Sequence, residues 1–251
     1  MTTAQSDPAA ARLFDARTLS ERAFTDPHAV ALGNAVEAGD LQAIARLLAQ
    51  GADARVVGRR GVTLSLLALQ ARQHAPEVME AVLVAGADPF ARLEDGNAVP
   101  EYAVMRSHAD PAVVDVLLSH GVPVDWRNAR WGDDARTLLM QALMGHNLPV
   151  AELLLRRGAD IDHVRPTWGS ALHDALDGGD VASALFLVEA GIDLRLVDHP
   201  PARRGQPSHA TAVERYCLGP RVPLGPLQRP TWQRLVAALA ARGVTMSCGA
   251  G

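Results

Sequence analysis

Six stretches of this chain superimpose on one glycine: DLQAIARLLAQG ending at Gly51, APEVMEAVLVAG at Gly86, DPAVVDVLLSHG at Gly121, NLPVAELLLRRG at Gly158, DVASALFLVEAG at Gly191 and WQRLVAALAARG at Gly243. No other feature constrains the fold as strongly. Apolar residues recur three and four apart in each, as at Leu41, Ile44, Leu47 and Leu48, so they share one face of a helix. The terminal glycine can enter the left-handed region that closes a helix. Asp40, Asp110, Asn147 and Asp180 stand where an N-cap side chain would accept the orphan amide protons of the first turn. Successive glycines are 35, 35, 37, 33 and 52 residues apart. A period in the mid-thirties is that of stacked helical repeats, each too small to bury its apolar face alone.

A second, shorter helix precedes each glycine-terminated one. The clearest copy is GSALHDALDGGD, where Ser170, Ala171, Leu172, His173 and Ala175 follow the pattern T-P-L-H-x-A. Gly51-Ala52-Asp53, Gly86-Ala87-Asp88 and Gly158-Ala159-Asp160 repeat a closing G-A-D. On these motifs the chain resembles the ankyrin-repeat family over residues 28–245. The resemblance implies an all-α solenoid of about six helix-turn-helix repeats with loop or hairpin tips and an irregular last repeat. Residues 1–27 are expected to form an N-terminal arm or cap and 28–197 repeats one to five. An irregular C-terminal repeat with a Pro/Gly-rich insertion and a capping helix would follow over 198–245, then a tail, 246–251. The second unit has Leu64 and Ser65 where the family has Pro-Leu. The third has Pro100 and Glu101 at the Leu-His positions, so an irregular helix start is expected there. In the last unit a short helix is expected over 211–216, then an insertion over 218–230 whose prolines cannot sit inside a helix. Trp232, on the capping helix, is expected to pack.

Composition removes several functions. The formal charge is −4, the isoelectric point is near 6.1, and there is no basic tract, so neither nucleic acid nor an anionic membrane is an expected partner. Every basic residue other than histidine is Arg; without Lys there can be no Schiff base and no G-x-x-x-x-G-K phosphate loop. No run is apolar enough to span a bilayer, and the N-terminus lacks the apolar core of a signal peptide. The sequence as it stands reads as cytoplasmic, or as periplasmic if it lacks its export signal. Cys217 and Cys248 stand far apart, without the close pairing of zinc or redox motifs. His173-Asp174 could suggest a metal site or a general base. The repeat explains that histidine more simply, as the T-P-L-H residue whose ring ties the backbone together. The other histidines are scattered, and no G-x-S-x-G elbow occurs. The expectation is therefore a non-enzyme, with no catalytic residues, no metal and no cofactor.

A narrower resemblance lies in the order of short signatures: Phe24-Thr25-Asp26-Pro27, Ala35 through Gly39-Asp40, Gly58-Arg59-Arg60-Gly61, Asp110-Pro111, and the closing Trp232, Val236 and Gly243. These look like the bacterial ankyrin proteins encoded beside type VI secretion phospholipase effectors, which serve as their immunity partners. That resemblance implies a protein that binds and occludes an effector enzyme. Those proteins are typically exported, and this sequence shows no export signal. The alternative is a general scaffold, or a translocated effector that binds a host protein.

In a stack of helix pairs the binding face is built from loop tips and the exposed positions of the shorter, inner helices. The tip positions are Arg59, Arg60, Val62, Glu94, Asp95, Asn97, Trp126, Arg130, Trp131, Asp133, Asp134, Arg136, Thr167 and Trp168. The inner-helix positions are Gln70, Met105, Arg106, Met144 and Asp177. Any one of these charges can simply be solvated surface. Tryptophan is different, because it concentrates in binding hot spots. Trp126 directly follows Val124-Asp125 and can be either a lid on its own hairpin or a contact residue. Trp131 and Trp168 are expected to point outward, with Arg127, Arg130, Asp133 and Asp134 as a polar rim around Trp131.

Overall fold

The computed structural model describes residues 18–106, 109–197, 210–218 and 225–246. The chain forms two compact units, Met1–Asp95 and Gly96–Gly251. In the first, the helices are α1 (Leu19–Ala23), α2 (Pro27–Ala38), α3 (Leu41–Ala49), α4 (Leu64–Ala68) and α5 (Ala75–Val84). In the N-terminal arm Thr18 and Glu21 cap α1 reciprocally. Glu37 on α2 accepts from the Leu19 and Ser20 amides at 3.2 and 3.1 Å, fixing α1 against its neighbour. Asp26 caps α2, with Pro27 in the first turn where its missing N–H is not needed. Leu32, Val36, Ile44, Leu64, Leu67, Val78, Met79 and Val82 form the core, and each such burial contributes roughly 1.5–3 kcal/mol.

The second unit contains α6 (Val99–Met105), α7 (Pro111–Ser119), α8 (Leu138–Met144), α9 (Leu148–Arg156), a hairpin of β1 (Val164–Arg165) and β2 (Gly169–Ser170), then α10 (Ala171–Asp177), α11 (Val181–Ala190), α12 (Ala212–Leu218) and α13 (Arg229–Ala241). β1 and β2 are antiparallel, with Val164 opposite Ser170 and Arg165 opposite Gly169. The short helices stack in sequence order, α6 on α8, α8 on α10 and α10 on α12. The longer helices line up behind them, α7 against α9 and α11 against α13. Val104, Val114, Leu117, Leu138, Leu139, Leu154, Leu172, Leu187, Leu235 and Leu239 fill the space between.

The local chemistry read from the repeat is present at each described position. All six defining glycines take φ between 79° and 99°. Asp40, Asp110, Asn147 and Asp180 accept from backbone amides two or three residues on, at 2.8–3.2 Å. Asn147 also donates to the carbonyls of Arg106 and Ala109, at 2.7 and 3.2 Å, so one buried amide caps α9 and ties down the preceding repeat.

Three expectations need correction. The third inner helix starts regularly: Pro100 lies in the first turn, and Glu101 accepts the Ala98 amide at 2.8 Å in place of a histidine ring. In the last repeat Leu218 belongs to α12, which Thr211 and Glu214 open reciprocally, and α13 begins at Arg229 with Pro230 inside its first turn. Proline breaks a helix interior, but the first turn has no use for its amide. Val62 is buried, where a tip position was expected. The Trp232 expectation holds: its ring packs on Tyr216, centroids 5.3 Å apart. Arg242, the C-cap of the last helix, donates to the Val188 and Ile192 carbonyls at 3.0 and 2.7 Å, closing the C-terminal end of α11. Residues 1–17, 107–108, 198–209, 219–224 and 247–251 lie outside the described residues, and with them parts of the expected arm, insertion and tail.

Cys217 is disulfide-bonded, where the spacing suggested an isolated thiol. The other cysteine, Cys248, lies outside the described residues. Among the described residues no helix is long and apolar enough to cross a membrane, and no group of His, Cys, Asp and Glu could hold a metal ion.

Candidate interaction groove

DWRNARWGDDART is a closed tip. Arg127 and Thr137 pair as an isolated antiparallel bridge, and the residues between them turn through a short 3-10 segment, Ala129–Asp134. Gly132, at φ 58°, lets the chain reverse with nothing packed against it. Asn128 holds this tip from below. Fully buried, it donates to the Gly96 carbonyl at 2.9 Å and to Glu101 Oε2 at 2.7 Å, while its Oδ1 accepts from the Arg130 amide at 3.2 Å. Glu101 thus both caps α6 and fixes the tip of the next repeat.

The following tip is the β1–β2 hairpin, with Thr167 and Trp168 at its turn. Asp134 joins the two tips, accepting from the Thr167 amide at 2.8 Å and from its hydroxyl at 2.5 Å. Partial burial opposes ionisation of Asp134, but the Thr167 side-chain and backbone bonds and the Arg165 charge together hold the carboxyl below its ordinary value. Two tryptophans are therefore presented by tips that are bonded to each other.

Between the tips and the inner helices lies a cavity of about 390 Å³. Seven of the expected residues line it: Asn97, Met105, Trp131, Asp134, Arg136, Met144 and Trp168. Trp131 is 54% exposed, Trp168 41%, Met105 38% and Met144 47%, so four large apolar side chains face solvent in one place. Isolated exposed hydrophobics are ordinary, but a cluster around a concavity marks an interaction site. A cavity of about 280 Å³ adjoins it, sharing Arg136 and Met144.

Three lining residues were not expected: Glu101, Gln141 and Arg165. Arg165 is 1% exposed; its Nη2 donates to Asp174 Oδ1 at 2.5 Å, and its buried Nε meets no acceptor. Burial lowers its pKa, and Asp174 works in the opposite direction. Asp174 Oδ2 also receives the Nε of Arg136 at 3.3 Å, so one carboxylate serves two guanidinium groups. The His173-Asp174 pair is thereby accounted for. His173 is fully buried, its Nδ1 accepting from the Ser170 amide at 3.1 Å and its Nε2 donating to the Ala210 carbonyl at 3.1 Å.

The remaining expected residues do not line this cavity. Trp126 is half-buried, and Arg130 lies over the Trp131 ring, its guanidinium carbon 5.0 Å from the centroid. Asp133 and Arg106 are exposed, and Asp177 pairs with Arg215 at 2.5 Å. Arg59, Arg60, Gln70, Glu94 and Asp95 are exposed residues of the first unit, where Arg60 and Glu94 pair at 3.0 Å.

Comparisons with known proteins agree with this architecture. The family model for ankyrin repeats, three copies, matches residues 101–198, a stretch that includes most of the groove. The crystal structure of the ankyrin repeat domain of Bcl-3, a member of the IkappaB family, is similar at 24% identity and a TM-score of 0.62. That match covers 87% of this chain and 89% of that one. The human ASB11 ankyrin repeat domain is similar at 20% identity and a TM-score of 0.56, covering 85% and 98%. No curated protein matches the sequence. Residues 101–198 are ankyrin repeats, and the chain has the ankyrin-repeat fold.

Proposed function

We propose that this chain is a protein-binding module without chemistry of its own, and that the groove between the Trp131 and Trp168 tips receives the partner. The observation that carries this is the gathering of Trp131, Trp168, Met105 and Met144 at one cavity whose walls are held by buried polar side chains. Large rings on a preorganised frame lose little conformational freedom on binding, which is how hot spots are built. The finer reading is that the partner is a phospholipase-type effector that the chain blocks by occlusion. It is supported by the short sequence signatures between Phe24 and Gly243. The Cys217 disulfide favours an oxidising compartment over the cytoplasm, which is where such an effector would be met. Co-purification with the product of the adjacent gene, followed by a lipase assay, tests both. Binding with inhibition is expected; a neighbour that neither binds nor is inhibited refutes the immunity reading.

A further inference from the structure

The hydrogen-bonding groups of the groove are spent unevenly. On the acceptor side, Glu101 Oε2 already takes the Ala98 amide and Asn128 Nδ2, and both oxygens of Asp134 take Thr167 donors. Arg130 lies over one face of the Trp131 ring, which stays 54% exposed for apolar contact. A basic side chain entering the groove would find its carboxylates already bonded and a cation already on this ring. On the donor side, Arg136 uses only Nε, on Asp174, and its two terminal nitrogens meet no acceptor among the described residues. Arg165, nine-tenths buried and more, lines the same cavity with an unpartnered Nε. Two guanidinium groups share the single Asp174 carboxylate, so this end of the groove has N–H groups to spare.

We propose that the groove recognises a carboxylate side chain of its protein partner, an Asp or Glu within an apolar segment. The carboxylate seats on the terminal nitrogens of Arg136, and the flanking apolar residues lie against Trp131, Trp168, Met105 and Met144. A guanidinium fork matches a carboxylate in a bidentate arrangement, and the surrounding apolar side chains strengthen the pair by excluding water. The proposal rests on the protein-binding reading above and adds the chemistry of the ligand.

A random peptide library displayed on phage and selected on the full chain tests it. Each selected sequence is then resynthesised with its acid and with the corresponding amide. Selected peptides are expected to carry an acidic residue beside aliphatic or aromatic ones. Replacing Glu by Gln in the peptide, and Arg136→Gln in the chain, should each weaken binding about tenfold or more, with little further loss when combined. Peptides enriched in Lys or Arg, or acid and amide peptides binding alike, overturn the proposal. If those peptides still lose affinity with Trp131→Ala, the groove stands and only the carboxylate falls. If no selected peptide depends on Trp131, Trp168 or Arg136, the groove reading falls with it. Should Arg136→Gln unfold, the peptide amide on the wild-type chain decides alone.

Discussion

Glu101→Ala is the perturbation that reaches furthest into the proposed frame. The carboxylate accepts two bonds, from the fully buried Ala98 amide at 2.8 Å and from the fully buried Asn128 side chain at 2.7 Å. Alanine leaves the amide without the carboxylate acceptor and removes a charge-assisted bond from Asn128, whose amide still donates to the Gly96 carbonyl. Orphaning a buried donor costs roughly 1–3 kcal/mol, and a hydrogen bond to a charged group contributes a similar amount, so the loss should be about 3 kcal/mol. For a unit of this size that corresponds to roughly 6–12 °C in Tm. Urea and thermal unfolding followed by far-ultraviolet circular dichroism measure it. Glu101→His should recover part of the loss, since a ring nitrogen can accept the Ala98 amide as His173 accepts that of Ser170. In a double-mutant cycle with Asn128→Ala the pair should show a coupling of at least about 1 kcal/mol. A loss below about 1 kcal/mol for Glu101→Ala, or strict additivity with Asn128→Ala, would refute the reasoning.

Gly145→Ala should destabilise by about 2–3 kcal/mol in the same unfolding assay, because its Cβ would lie 2.2 Å from the Met105 carbonyl oxygen, and backbone cannot yield cheaply. Trp131→Ala and Trp168→Ala should each change stability by less than about 1 kcal/mol, both side chains being about half exposed, while each weakens partner binding by at least about 1 kcal/mol. The folded Asp134 carboxyl sits below the free value of 3.8, so its tie to Thr167 contributes fully above that value and is lost as pH falls through the lowered folded one. Tryptophan fluorescence should report a transition in that acid range, absent in Asp134→Asn. Thiol titration of the denatured, unreduced chain should find Cys217 blocked, and reduction should expose it.

The helices were legible because their signals are local. A cap side chain, a left-handed glycine and a three-to-four periodicity each act within one turn, so Asp40, Asn147 and Gly191 could be placed without tertiary knowledge. Trp131, Trp168, Met105 and Met144 followed, since a fixed repeat projects tip and inner-helix positions onto a common face. Glu101 and Arg165 were missed for a different reason. A carboxylate in the histidine slot reads as a broken motif until Ala98 and Asn128 are seen to donate to it. A charged residue in RPTWG reads as solvated, because burial of Arg165 depends on Asp174 nine residues away and on the neighbouring repeat. Proline in the first turn of α6 and of α13 was over-weighted as a breaker, although that position tolerates it.

The most direct test is the affinity of the isolated partner for three forms of the full chain by isothermal titration calorimetry: wild type, Trp131→Ala/Trp168→Ala, and Val84→Ala. Val84 is an exposed apolar residue on α5 of the first unit and lines no part of the groove cavity. The groove account predicts a loss of about 2 kcal/mol, roughly thirtyfold in Kd, for the double variant, and less than about twofold for Val84→Ala. Equal affinity of all three folded forms would contradict it.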